Sequence, residues 1–332
     1  MTKTYQLVGI GNAVVDVISQ CDDSFLDHMG IGKGIMQLIE RDRAEVLYAS
    51  MKDRVQTPGG SVANTIAGAG ALGLSAAFIG RVHDDALGRF YAAAMQDDGV
   101  DFVNAPVPGG ELPSSRSMIF VSPDGERSMN TYLGISSELS SDDVPPAVAG
   151  QAQIMFLEGY LFDKDKGKTA FLEAARDCRA GGGKPGIAIS DPFCVERHRA
   201  DFLRLIETEL EYVIGNEDEI KSLFETDDLE DALAKTAAIC PLVVCTRSGD
   251  GVTVVGAGER FDVPVTKVVP VDATGAGDQF AAGFLFGLAT GRDLEVCARI
   301  GNACAAEVIS HIGPRPQADM RSVLRSAGLL DG

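Results

Sequence analysis

The sequence predicts an α/β fold organised on a mostly parallel sheet, with a small second sheet beside it. From about residue 142 onward, short apolar runs alternate with helical stretches, the pattern that parallel crossover connections leave in a sequence. Between Asp101 and Leu133 the pattern is β-like, punctuated by Pro, Gly and Ser turns and carrying the strand Ser117-Met118-Ile119-Phe120-Val121 before Asp124-Gly125. A chain of 332 residues that is 45% hydrophobic can bury one large core plus such an appendage. Residues 1–332 therefore read as a single domain.

Composition narrows the partners. A formal charge of −19 disfavours a nucleic-acid or anionic-membrane surface, and no apolar run reaches membrane-spanning length. Met1-Thr2-Lys3-Thr4-Tyr5 leads directly into strand-like sequence, without the basic segment and apolar core of a secretory signal, so a cytoplasmic protein is expected. The seven cysteines include no C-x-x-C pair, and neither a disulfide framework nor a zinc site is expected. A bound polyanion would need its charge met locally, because the field of the whole molecule repels it.

Gln6 to Ile18 reads as a buried strand, a turn and a second strand. Its Gly9-x-Gly11 does not extend to a dinucleotide fingerprint. Val14 occupies the third glycine position, and the nearby acid comes too early for a ribose contact about 20 residues on. That acid, Asp16, is flanked by Val14, Val15, Val17 and Ile18. Buried there it would need both oxygens satisfied, which a pair of sugar hydroxyls would do; an edge-strand carboxylate facing water fits the same segment. Arg41 to Met51 reads as an amphipathic helix. Gly59-Gly60 then precedes Ser61, a good N-cap for a helix of small residues through Gly73. Asn64, three residues past that cap, falls near the helix mouth, where its amide could meet a diol. Tight packing on a sheet explains the alanines here but not Gly59, Gly60 and Asn64 together. Ala76 to Val82 follows as a strand and Arg89 to Asp97 as a helix.

In the second half, Ile154 to Gly159, Gly186 to Pro192, Tyr212 to Asn216 and Leu242 to Thr246 read as strands. Residues 166–180, 199–208, 217–224 and 229–239 read as helices, and 252–264 as a hairpin. Open parallel sheets bind ligands at the carboxyl ends of their strands, and two polar groups fall there. Asn216 and Glu219 stand three apart at a helix start, which suits hydrated Mg²⁺ or plain capping. Thr246, Gly249 and Gly251 follow the next strand in a turn that suits a nucleotide phosphate or ribose, or no ligand at all. Finally, Gly275-Ala276-Gly277-Asp278 precedes the helical run Phe280 to Leu288. Small residues leave the N–H groups of 275–277 open to an anion at the positive end of that helix. Asp278 in the first turn could take the proton of a hydroxyl attacking a phosphoryl group; a capping acid behind a tight glycine turn fits the motif as well.

In order along the chain, Gly59-Gly60 through Asn64, Asn216-x-x-Glu219, Thr246-x-x-Gly249-x-Gly251 and Asp272 through Asp278 resemble the motifs of the ribokinase-like (PfkB) carbohydrate and nucleoside kinases. The resemblance spans nearly the whole chain. It implies a three-layer α/β/α sandwich with a mostly parallel central sheet, a small β lid formed from segments near 14–40 and 101–133, and ATP-dependent phosphorylation of an alcohol. It also implies Asp278 as base and the amides of Gly275, Ala276 and Gly277 as anion hole, with Asp16, Gly59, Gly60 and Asn64 on the acceptor. Asn216, Glu219, Thr246, Gly249, Gly251 and Asn302 would serve ATP, Glu219 reaching Mg²⁺ through water. Asp272 and Thr274 match positions that bind a monovalent cation such as K⁺ in some members, and Arg127 falls among lid-side residues that touch phosphate.

Within the family, Gly11, Asn12 and Asp16, together with Ser24 to Asp27 and Ser190 to Phe193, resemble the adenosine kinases. That implies the 5′-hydroxyl of adenosine as acceptor, with Met36, Leu133 and Phe193 as candidates for an apolar clamp on the purine. Ribose, fructose or another nucleoside stays open as the acceptor, as does a binding protein that keeps the fold without the reaction. Gln279 departs from the small residue that commonly follows the base. The expected partner is a small nucleoside or sugar, with no nucleic acid and no membrane, and the chain acting as monomer or homodimer.

Overall fold

The computed structural model describes residues 3–330. Its strands begin with Tyr5–Ile10 (β1), Val14–Gln20 (β2), Met36–Leu38 (β3), Val55–Gly59 (β4), Ala76–Ile79 (β5), Val100–Phe102 (β6) and Ser115–Val121 (β7). They continue with Arg127–Tyr132 (β8), Ala152–Glu158 (β9), Lys184–Ala188 (β10), Tyr212–Asn216 (β11), Leu242–Thr246 (β12), Val252–Gly256 (β13) and Glu259–Val263 (β14). The large sheet runs β14-β13-β12-β11-β10-β9-β1-β5-β6. Its ladders are parallel from β6 to β12, and only the terminal hairpin of β13 and β14 is antiparallel.

Successive residues of a strand point to opposite faces, and a parallel strand covered on both faces must be apolar throughout. β9 meets that demand with Ile154, Met155, Phe156 and Leu157. On one face, Leu7, Ile154, Phe156 and Val244 pack in one core with the helices Ser61–Ala71, Ala86–Asp97, Ala276–Ala289 and Leu294–Val308. On the other, Val8, Met155, Leu157 and Val243 share a second core with Asp165–Ala180, Pro192–Glu209, Glu217–Ser222 and Leu229–Ile239. The result is a three-layer α/β/α sandwich. None of the helices among the described residues is long and apolar enough to cross a membrane.

The second sheet runs β3-β8-β7-β2-β4. The turn at Gly11–Ala13 carries the chain from β1 in the large sheet to β2 in the small one, so the two sheets diverge from one point. β4, absent from the sequence reading, lies antiparallel to β2. Pro58 and Gly59 disguise it, yet an edge strand tolerates a proline because one of its sides needs no donor. Conversely, Val100–Phe102 leaves the small sheet and joins the large one beside β5. The helix expected over 199–208 starts earlier, at Pro192, because the Asp191 carboxylate accepts from the N–H groups of Phe193 and Cys194. Its backbone leaves helical geometry at His198, so the expected span is the second half of a broken helix.

Candidate active site

A cavity of about 920 Å³ opens between the sheets. Its floor comes from the ends of β9, β10, β11 and β12 and the starts of three helices, through Glu158, Ala188, Asn216, Thr246, Ser61 and Asp278. The small sheet contributes Asp16, Met36, Leu38, Met129 and Thr131 from the other side. The space suffices for more than one small ligand.

Gly275 takes a left-handed backbone (φ 80°) to cap the helix Ala276–Ala289, and a Cβ there would press on Pro314. Asp278, in the first turn, is held on both oxygens. Ser61 Oγ donates to Oδ1 at 2.7 Å and Asn64 Nδ2 to Oδ2 at 3.1 Å, while Thr65 Oγ1 bonds the Asp278 carbonyl at 3.1 Å. Burial raises its pKa to about 6, against the pull of those two donors and of the Arg315 charge. Of the glycine-rich run, Gly277 lines the cavity and is open around its Cα. The Ala276 N–H turns back onto the Ala273 carbonyl at 3.2 Å. Asn64 does not stand free for a ligand: its amide nitrogen is on Asp278, and its Oδ1 accepts from Arg315 Nε at 3.3 Å.

Asp16 sits on β2 opposite Thr57 and Ser117, with Val15 and Val17 turned into the core. It is 9% exposed, and burial raises its pKa to about 7 despite the charges of Arg127 and Arg315. No hydrogen-bond donor among the described residues reaches its carboxylate, which faces the cavity. Gly59 lies directly beneath: a Cβ there would fall 2.5 Å from Asp16 Oδ2. Gly60 lines the cavity with φ 100° and would strike the Asn12 carbonyl if it carried a side chain.

Sequence reasoning missed Glu158. It is 1% exposed at the end of β9 and accepts from Asn12 N (3.1 Å), Asn12 Nδ2 (2.8 Å) and Val62 N (3.1 Å). The cap that the sequence assigns to Ser61 is thus supplied from a distant strand, and Ser61, inside the helix, is released to Asp278. An acid closing an otherwise apolar strand, in Ile154-Met155-Phe156-Leu157-Glu158, was the available signal. Burial raises its pKa to about 7, with the Asp278 charge adding to the rise.

Asn216 and Glu219 both line the cavity and form a reciprocal capping box: Glu219 N donates to Asn216 Oδ1 at 2.9 Å, and Asn216 N to Glu219 Oε2 at 3.0 Å. Asn216 Nδ2 adds a 2.7 Å bond to Glu219 Oε1. Glu219 is buried with its pKa raised to about 7, first by burial. Thr246 lines the cavity as well, whereas Gly249, Gly251 and Asn302 do not. Gly249 lies in a short 3₁₀ turn, Gly251 (φ 98°) closes that turn, and Asn302 Nδ2 donates to the Pro264 carbonyl at 3.1 Å. Asp272 and Thr274 do come together, but around the guanidinium of Arg127: Nη1 is 2.6 Å from Asp272 Oδ2 and 3.2 Å from Thr274 Oγ1.

These elements recur in known proteins. The sequence pattern of the pfkB family carbohydrate kinase matches residues 28–320. The chain belongs to the pfkB family of carbohydrate kinases. Adenosine kinase from Sinorhizobium meliloti shares 46% identity with this kinase at a TM-score of 0.90, covering 98% of this chain and 99% of that one. A probable sugar kinase protein from Rhizobium etli CFN 42 shares 41% at a TM-score of 0.91, covering 99% and 100% respectively. Fructokinase of Klebsiella pneumoniae is 33% identical over 252 residues, 71% of this chain and 78% of its own. As a pfkB kinase the protein is an ATP-dependent phosphotransferase acting on a small sugar or nucleoside. In this kinase six acids among the described residues, Asp16, Glu158, Asp163, Asp191, Glu219 and Asp278, line one cavity, and burial raises the pKa of Asp16, Glu158, Glu219 and Asp278.

Proposed function

We propose that this kinase transfers the γ-phosphoryl group of ATP to the 5′-hydroxyl of adenosine, with Asp278 as general base. The observation that carries this reading is that Asp16 and Asp278 face one cavity, Asp16 with no protein donor on its carboxylate. A vicinal ribose diol would satisfy Asp16, leaving the primary hydroxyl for Asp278 to deprotonate as it attacks. The amides of Gly275, Ala276 and Gly277 would receive the charge developing on the transferred group, once the Ala276 N–H leaves the Ala273 carbonyl.

A base rather than a bare sugar is favoured by what the small sheet leaves exposed. Ser117 Oγ and Thr131 Oγ1 bond each other at 2.8 Å, and Gln37 Nε2 donates to Asn130 Oδ1 at 2.6 Å. Apart from Asn130 Nδ2, which has no partner among the described residues, those groups satisfy one another; Ile35, Met36, Leu38 and Leu133 line the cavity as an apolar wall, and Phe193, 68% exposed, lines it too. Such a wall suits a purine. The likeness to the adenosine kinase of Sinorhizobium meliloti agrees with it.

ATP would lie along Asn216, Glu219 and Thr246. The residues fit Mg²⁺: the cavity is acid-rich, with Arg197 as its one lining Arg or Lys among the described residues, so a divalent cation brought by the phosphates would be welcome. Among the described residues no three His, Cys, Asp or Glu gather into a direct cage, and Glu219 would meet the ion through water. Bound there, Mg²⁺ would neutralise phosphate charge. The small sheet would act as a lid that excludes water.

The test is ATP consumption with Mg²⁺ against adenosine, inosine, guanosine, ribose, fructose and fructose phosphate, with the product identified. AMP formed only with adenosine supports the reading. A sugar phosphate would keep Asp278 and replace the acceptor; no transfer to any of them would count against both.

A further inference from the structure

Resting on that assignment of Asp278, we infer that Arg315 is a positioning residue for the base, acting through Asn64. The loop that carries it follows Gly313-Pro314 and gave no signal in the sequence. Arg315 is a built part of the site: its side chain is 16% exposed, Nη1 is ion-paired with Asp98, and Nη2 lies 3.5 Å from Met95 Sδ. Nε points at Asn64 Oδ1 at 3.3 Å. An amide has one acceptor end and one donor end. With the guanidinium on Oδ1, Asn64 has only its NH₂ left for Asp278, and it delivers it at 3.1 Å.

The loop is itself clamped. Gln279, 1% exposed and next to the base in sequence, donates one amide to both the Asn64 carbonyl (3.0 Å) and the Pro314 carbonyl (3.0 Å). It thereby binds the helix Ser61–Ala71, the helix Ala276–Ala289 and the Arg315 loop at one point. A small residue after the base could not reach either carbonyl. The departure at Gln279 and the arginine at 315 are parts of one device.

The consequence is electrostatic as well as geometric. Asp278 is faced by Ser61, Asn64 and Thr65 from one helix and by Arg315 from the loop, and it shares the cavity with Asp16, Glu158, Asp163, Asp191, Glu219 and Arg197. Arg315 is the cation that opposes those acids at the base, and it also lowers Asp16. The experiment is the pH dependence of kcat, where acceptor covers Asp16, for the wild type, Arg315→Gln, Arg315→Lys and Asp98→Asn, with Asp278→Asn as a separate control. Removing the charge should move the acidic limb upward by about half to one pH unit, the effect of one cation held on the far side of an amide from the carboxylate, so that turnover at the acidic end falls by about three- to tenfold. Lysine should restore most of the limb, and Asp98→Asn, which keeps the cation and removes its counter-charge, should give a smaller shift in the opposite direction, downward. A purely structural role would lower the active fraction and the melting temperature while leaving the limb in place. An unmoved limb in folded Arg315→Gln, or in Asp98→Asn should the former not fold, overturns the inference. Normal turnover in Asp278→Asn would instead overturn the assignment of the base beneath it.

Discussion

Arg127 Nη1 lies 2.6 Å from Asp272 Oδ2, and this ion pair ties the small sheet to the loop ahead of the helix Ala276–Ala289. Both side chains are about nine-tenths buried, at 11% and 9% exposed, so each charge depends on the other. Asp272 has further support from the N–H groups of Thr274 (2.9 Å) and Gly313 (3.0 Å), which hold its pKa below the usual range together with Arg127 although burial opposes them.

The two partners should therefore respond unequally to removal. Asp272→Asn leaves a buried guanidinium without its counter-charge and should cost about 3 kcal/mol. Arg127→Gln leaves an aspartate that still accepts two backbone bonds and should cost less, about 1 kcal/mol. Urea unfolding of both variants checks the order. Equal losses would mean that the pair contributes little beyond packing.

Asp278→Asn should keep ligand binding, since an amide can still accept from Ser61, but lose turnover by about 10²- to 10⁴-fold. For the wild type, a base with a pKa of about 6 must be unprotonated to act, so kcat at saturating acceptor, which covers Asp16, should fall as pH drops through about 6. Titration calorimetry with acceptor and steady-state assays from pH 5 to 8 separate binding from chemistry. A variant that neither binds nor turns over would point to structural damage instead.

How much of this was legible follows from where the determinants sit. The alternation of strands and helices and the run Gly275 to Asp278 are local patterns, and a sequence displays them directly. Glu158 and Arg315 act across 96 and 251 residues, on Val62 and Asn64; the acid at the end of an apolar strand hints at Glu158, but nothing local says on which residues either acts. Asn64 shows the same limit from the other side: its position at the helix mouth was readable, but Asp278 and Arg315, which take up its amide, arrive from the far end of the chain. β4 was hidden by Pro58 and Gly59, residues that argue against a strand until the edge position is known.

Glu158 also makes a prediction about stability. Its folded pKa of about 7 lies above the ordinary 4.5, so the folded protein holds this proton more tightly than the unfolded chain. The stabilisation is complete below about pH 4.5 and is lost as pH rises through about 7. Asp16, Glu219 and Asp278 act in the same direction. The ligand-free kinase should accordingly lose stability between pH 5 and 8, and Glu158→Gln should lose less over that interval. Melting curves at both pH values decide it; parallel slopes for the two proteins would show that Glu158 ionises normally.

The adjacent glycines 59 and 60 should fail in different ways. At Gly59 the backbone is ordinary, and the nearest atoms to a new Cβ are those of the Asp16 carboxylate, at 2.5 Å from Oδ2 and 2.7 Å from Oδ1. A side chain can move, so Gly59→Ala should fold and push Asp16 out of place, raising the acceptor KM about tenfold or more while the KM for ATP stays near normal. At Gly60 the φ of 100° is one that L-residues avoid, and the obstacle is the fixed carbonyl of Asn12. Gly60→Ala should lose about 1–3 kcal/mol of stability. Because that turn precedes the helix carrying Ser61 and Asn64, the same substitution should also disturb the base and lower kcat. Melting temperatures and KM values measured on the pair test this contrast, and a Gly59→Ala enzyme with unchanged acceptor KM would remove Asp16 from the acceptor site.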